Sequence, residues 1–244
     1  MLKHFKGDLH IHSCLSPCAC NEMLPTAIVK QAKKKNLDLI AICDHNSAEN
    51  VAAIKRAGAE LGLAVIGGME ITTQEEVHVL GLFDNDQALE DISKMINQNL
   101  AGKNDKKYFG EQLIVDESDR VIGSNERLLI GATALSIEKV VRAIHEREGL
   151  AIASHVDREA FSILGQLGMI PPGIRLDALE LSSVGKGREE EFYRKYDFPF
   201  VHSSDAHYLK DIGKSHTSFF MEEVSIEEMK KALQGKDKRN VTLE

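Results

Sequence analysis

The sequence predicts an α/β fold of the (β/α) barrel type, and three observations carry that prediction. Short apolar runs recur without polar alternation, as in strands buried on both faces. Segments of helical character separate them, and that alternation defines the α/β class. The runs lead, at their C-terminal ends, into histidines and carboxylates, and in a barrel those ends converge on one face. About seven strand–helix units fit a chain of this length.

Taken in order, the first strand ends in "DLHIHS" (Asp8–Ser13). On an ideal strand His10 and His12 share one face and Leu9 and Ile11 the other. A helix with a basic outer end follows over Pro25–Lys35. "LDLIAICDHN" is the next strand and supplies Asp44 and His45. Asn46 or Ser47 can cap a helix over Ala48–Leu61. "LAVIGGMEIT" brings Glu70, and "VHVLGLFD", read with the preceding glutamate, brings His78. The rhythm then breaks. In the stretch 85–133 a helical segment precedes "QLIVD" and "RVIG", which flank "ESD" as a β-hairpin. The expectation is one barrel domain over 1–244, with 85–133 as an insertion or lid within it. Ser136 can cap Ile137–Glu148. "LAIASHVD" brings His155, "LDALELSS" is a further strand, and "FPFVHSSDAH" brings Asp205 and His207. Ser225 with Glu228 makes a capping box for a C-terminal helix.

Composition narrows the function classes. The 30 basic and 38 acidic residues give a formal charge of −8. This argues against a general nucleic-acid backbone binder, which needs a positive surface. It leaves room for a small anionic substrate held by metal ions. No run reaches the length of a membrane helix. The N-terminus lacks the apolar core of a signal peptide, so a cytoplasmic location with reduced cysteines is expected. Cys14, Cys18 and Cys20 crowd one loop, but their spacing is not that of a zinc ribbon or an iron–sulfur run. No arginine follows to complete a cysteine-phosphatase loop.

Two imidazoles on one buried face repel when protonated and need partners when neutral. A metal ion resolves both problems. The histidines and carboxylates gathered at the barrel face are too many for one ion, which takes four to six ligands. They suit two or three, with a carboxylate such as Glu70 bridging.

"DLHIHS", "CDHN", "GMEIT" followed by "EVHVLG", "ASHVDR" and "SSDAH" resemble, in order, the five motifs of the PHP (polymerase and histidinol phosphatase) superfamily. They span Asp8 to His207. The resemblance implies a distorted (β/α)7 TIM-like barrel, a multinuclear and often trinuclear metal site, and phosphoester hydrolysis. It implies His10, His12, His45, Glu70, His78, His155, Asp205 and His207 as metal ligands. One departure stands out. Members of the superfamily usually carry a further His or Asp shortly after the first motif, where this chain reads "SCLSPCACNEM". Cys18 sits at the closest spacing, with Cys20, Asn21 and Glu22 as alternatives. A thiolate there suits zinc or iron better than manganese. Asp8 and Asp44 are expected to orient ligating imidazoles.

The expected chemistry is attack on a phosphate ester by water activated between zinc, manganese or iron ions. Asp205 and His207 are the candidates for moving a proton. Arg158, three residues after His155, is the candidate for gripping the phosphate. A salt bridge to Asp157 or Glu159 is its structural alternative. The expected substrate is a small phosphorylated metabolite or nucleotide, with no stable nucleic-acid complex and no membrane. Two other readings are a C–N hydrolase using the same metal site and a non-catalytic regulatory module. His202 reads as packing, His4 and His145 as surface residues, and His216 as outside the site. Lys186 and Arg188 in "SVGKGREE" read as a solvated helix start.

Overall fold

The computed structural model describes residues 1–182 and 195–243. Lys186 and Arg188 lie outside them. Strands β1 (Lys3–Ile11), β2 (Leu39–Ile42), β3 (Ala64–Thr72), β4 (His78–Phe83), β7 (Leu150–Ala153), β8 (Ala178–Leu181), β9 (Phe200–His202), β10 (Thr217–Met221) and β11 (Asn240–Leu243) build one sheet. Its order is β11-β10-β1-β2-β3-β4-β7-β8-β9. Beyond β9, Ala206 makes a parallel bridge to Ile11 of β1. The His12 N–H donates to the Ala206 carbonyl at 3.0 Å and the Ala206 N–H to that of His10 at 3.2 Å. The sheet is thereby drawn into a nearly closed, distorted TIM-like barrel, as expected.

The barrel is not wholly parallel. β4 runs antiparallel to both β3 and β7, and β10 antiparallel to β1. This corrects one expectation. His78 opens its strand, and because β4 is inverted its first residue, paired with Thr72, lies at the same face as the C-terminal ends of its neighbours.

One apolar cluster takes Leu9, Ala41, Ile66, Leu80, Ile152, Ala178, Val201 and Phe219 from eight different strands. These residues share the face of the sheet turned away from the helices that cover it outside. The helix α7 (Ile226–Leu233) adds Ile226 and Met229 to the cluster. A second cluster fills the space between the sheet and the outer helices α1 (Pro25–Lys34), α2 (Val51–Glu60), α3 (Asp86–Asn99) and α5 (Ile137–His145). Leu9 belongs to the first cluster and Ile11 to the second. The ideal-strand expectation put them on one face. A bulge between Asp8 and Ile11 separates them by changing the side-chain alternation there.

Helix caps differ from expectation where side chains have other partners. Asn46 does not cap α2. It sits at φ +49° and donates to the carbonyls of Leu129 and Gly131. Ser136 precedes α5 without a side-chain cap, and the Ile137 N–H goes to Glu75 at 3.0 Å. Ser225 does accept from the Glu228 N–H at 3.2 Å. The Glu228 carboxylate, however, turns to the Glu222 N–H and to Arg239.

In the segment 85–133, β5 (Leu113–Val115) and β6 (Val121–Ser124) pair as an antiparallel hairpin, preceded by the short helix α4 (Lys106–Phe109). The Asn50 side chain ties β5 to the barrel, donating to the Leu113 carbonyl and accepting from the Val115 N–H. Among the described residues no helix is long and apolar enough to cross a membrane.

Candidate active site

The inward-facing rows of the barrel become polar at one end. Two residues beyond Ala178 lies Glu180, four beyond Ile66 lies Glu70, and two before Leu80 lies His78. These chains are almost fully buried. His155 and Asp205 sit at positive φ, +30° and +49°. Such backbone costs energy in non-glycine residues and persists where its surroundings hold it.

Glu70 is the centre of the cluster. Its Oε1 lies 2.9 Å from His78 Nδ1, 3.3 Å from His155 Nε2 and 3.4 Å from His10 Nε2. Its Oε2 lies 3.1 Å from His45 Nδ1 and 3.5 Å from His12 Nε2. Asp205 is the second pole. Oδ1 approaches His12 Nε2 at 3.1 Å, His10 Nε2 at 3.4 Å and His207 Nδ1 at 3.6 Å. The structure thus brings together His10, His12, His45, Glu70, His78, His155, Asp205 and His207.

The outer ring nitrogens have their own partners. His10 Nδ1–H donates to Glu180 at 3.0 Å. The Ser16 hydroxyl donates to Asp44 at 2.6 Å, so at 3.0 Å it accepts from His12 Nδ1–H. That leaves the Nε2 lone pairs of His10 and His12 facing each other at 3.1 Å in full burial. Two acceptors at that distance require a cation between them, a proton or a metal ion. Among the described residues, three groups have ligand atoms within 4.8 Å of one another: His12, His45 and His207; His10, His12 and Asp205; His45, Glu70 and His78. The donor set fits divalent metal ions.

The electrostatics agree. Burial works to raise the carboxyl pKa of Glu70, but the His78, His10 and His45 imidazoles around it hold it well below the usual range. Asp205 is likewise depressed, His10 and His12 outweighing burial. Burial works against charge on His10, yet Glu180, Glu70 and Asp205 lift it well above an ordinary histidine. His12 falls well below one, through burial and then positive His207 and His45.

Cys18 lines the cleft as an exposed residue beside His207 and His45. Desolvation works to raise its thiol pKa, but those two imidazoles bring it down to about 7. Of the alternatives, Cys20 contributes a backbone N–H to the His207 carbonyl at 2.9 Å, and Asn21 and Glu22 are exposed. Arg158 takes neither Asp157 nor Glu159. Its Nη1 donates to Asp205 Oδ2 at 2.6 Å, while Asp157 accepts from the N–H and hydroxyl of Ser182 at 2.8 Å. Asp44 supports His12 through Ser16. Asp8 touches no imidazole; it holds the loop before Asp205 by accepting from the Ser204 N–H and hydroxyl and the Gly213 N–H. His202 is buried, its backbone exchanging two hydrogen bonds with the Thr217 hydroxyl.

Sequence reasoning missed Glu180 and Phe161. Glu180 was legible as a lone carboxylate in the apolar run "LDALELSS". Phe161 carried no such signal. The cleft over the site has a volume of about 340 Å³, and Ile130, Arg158, Ala160 and Phe161 line it together with the ligand candidates.

A family model described as PHP domain matches residues 8–170, and one described as PHP-associated matches residues 186–236. An uncharacterized protein of Methanocaldococcus jannaschii is 38% identical over 99 residues, covering 36% of this chain and 54% of its own length. A 5'-3' exoribonuclease of Haemophilus influenzae is 28% identical over 146 residues, covering 58% and 49%. The matches thus span about half the length of these relatives. Among solved structures, a lesion-specific endonuclease of Pyrococcus furiosus superposes with a TM-score of 0.74 at 19% identity, covering 98% of this chain and 58% of that one. Endonuclease Q in complex with a 27-mer duplex, an abasic lesion at its active site, gives 0.72 at 19%, with the same coverage.

The complex overturns the expectation of a small substrate without nucleic acid. A chain of this fold holds a DNA duplex at its active site. Net charge misled because it sums the whole surface, whereas phosphate contacts need only local cations.

Proposed function

Because the chain belongs to the PHP domain family, we propose that it is a metal-dependent phosphoesterase that hydrolyses a phosphodiester of a nucleic-acid strand. The observation that carries this reading is the Glu70–Asp205 pair, ringed by imidazoles and joined at the cleft by Arg158. The likeness to an exoribonuclease and to Endonuclease Q supports the substrate class.

In this reading His10, His12, His45, Glu70, His78, His155, Asp205 and His207 hold two or three zinc, manganese or iron ions, with Cys18 as a further ligand. Ions held there supply Lewis-acid chemistry, lowering the pKa of water and offsetting phosphoryl charge. Glu70 lies between the imidazole groups and balances their charge. Arg158 grips a non-bridging phosphoryl oxygen, exchanging part of its contact with Asp205 for the substrate. His207, the more exposed of the cluster with a side chain 24% accessible, donates Nδ1–H to the Asp205 carbonyl at 2.9 Å, so its remaining nitrogen, Nε2, can deliver a proton to the leaving oxygen only where it holds no ion. Segment 85–133 is an insertion within a single barrel domain and walls the cleft through Ile130.

The test is hydrolysis of end-labelled single-stranded and duplex DNA and RNA by protein reconstituted with each metal. Cleavage that needs metal and is lost in Glu70→Gln supports the reading. No cleavage of any strand by fully loaded protein overturns it.

A further inference from the structure

We propose that Phe161 is a stacking platform for a nucleobase beside the scissile phosphate, so that the site selects a nucleotide that retains its base. The inference rests on the nucleic-acid reading above and goes beyond it in naming the residue that reads the base.

The evidence is the construction of one loop. Phe161 is a bulky residue at φ +58°, a backbone state that such side chains rarely adopt. The loop holds it there from several sides. The His78 N–H donates to the Phe161 carbonyl at 2.8 Å. The neighbouring Ser162 hydroxyl donates to the Arg158 carbonyl at 2.5 Å and accepts from the Gly165 N–H at 2.9 Å, capping the short helix α6 (Ile163–Leu167). A Cβ on Gly165 would lie 2.0 Å from the Glu159 carbonyl oxygen, so the turn closes only with glycine there.

This strain is not offset by burying the ring, since Phe161 remains 40% exposed. One face of the ring stacks on His78, with centroids 4.7 Å apart and planes 17° from parallel. Phe161 also lines the active-site cleft. A strained backbone that holds an aromatic ring partly in solvent, above a ligand candidate, is a feature that stability alone does not explain. Arg158, three residues earlier, lines the same cleft. One short loop thus presents a guanidinium suited to phosphate and an aromatic face suited to a base. That pairing of cation and ring is how single strands are held without sequence readout.

Stacking on an aromatic side chain changes affinity by about 5- to 150-fold per base. The experiment compares two single-stranded oligonucleotides that differ at the nucleotide flanking the mapped cleavage position. One carries a base there and the other a tetrahydrofuran abasic residue. Wild-type protein is expected to favour the first in kcat/KM by a ratio in that range. Phe161→Ala and the bulk-preserving Phe161→Leu should bring the ratio close to one, and Phe161→Trp should keep it. A ratio unchanged in Phe161→Ala overturns the platform, as does a ratio near one in wild-type protein.

A second arm needs no cleavage. A phosphorothioate-linked oligonucleotide with 2-aminopurine at the same position should be quenched on binding wild-type protein and Phe161→Trp, and less on Phe161→Leu. If wild-type protein cleaves no strand, the functional reading fails and this arm alone judges the platform. Quenching that is absent, or equal in Phe161→Leu, overturns it.

Discussion

Glu180 and His10, 170 residues apart in the chain, meet inside the barrel with Oε2 3.0 Å from Nδ1. The same carboxylate accepts the backbone N–H of His155 at 3.0 Å. Glu180 thus fixes the tautomer of His10, turning its Nε2 to the centre, and anchors the strained turn that carries His155. Glu180→Gln keeps an acceptor but loses the charge. We expect metal affinity to fall about 10- to 100-fold with the far-UV circular dichroism unchanged. Chelator competition measures it, and unaltered affinity would remove Glu180 from the site.

Glu70 faces five imidazoles through two oxygens. In the proposed reading its charge would let two cations lie close together. In Glu70→Gln we expect a lower metal stoichiometry by elemental analysis and a loss of hydrolysis of about 100-fold or more. Wild-type metal content together with wild-type turnover would refute the central role.

Arg158 has its guanidinium 2.6 Å from Asp205 and remains 38% exposed in its side chain, so it can reach a substrate. Arg158→Ala should leave the metal content intact and lower kcat/KM by about 10- to 1000-fold. Arg158→Lys should rescue poorly, because a point charge lacks the fork that matches phosphate oxygens. Should Arg158→Ala lose metal instead, the residue acts through Asp205 and not on the substrate.

Far from the cleft, Glu228 predicts acid behaviour. The Arg239 guanidinium, 2.7 Å away, outweighs burial and brings this carboxyl from 4.5 to about 2, with help from the Glu222 N–H and Lys231. The unfolded chain therefore binds this proton more readily than the folded one. The contribution to stability is complete above about pH 4.5 and is lost as pH falls toward 2. Glu228→Gln should have a lower urea midpoint than wild-type protein at pH 7, and the two should converge near pH 2 to 3. A constant difference between pH 7 and pH 3 would rule out the linkage.

Much of the site is legible along the chain. Ligand candidates fall at the ends of apolar runs, and the barrel rule alone predicts that such ends converge. The exception, His78, shows the limit of that rule. Its position at the start of a strand makes sense only once β4 is known to be inverted, and strand direction is a property of pairing between distant segments.

The sequence by itself determined the α/β class, the barrel and the residue types that gather at its mouth, because periodicity and side-chain chemistry are local. The tertiary structure decided what depends on contact between segments far apart. The bulge beside β2 separates Leu9 from Ile11. Arg158 pairs with Asp205, 47 residues away, and not with its chain neighbours. Phe161 lies on His78 because a tight loop folds back across β4, and Glu180 finds His10 because closure of the sheet through Ala206 brings β8 within one strand of β1. Such pairings depend on closing the barrel, which places residues by distance in space, and no pattern along a single chain records that distance.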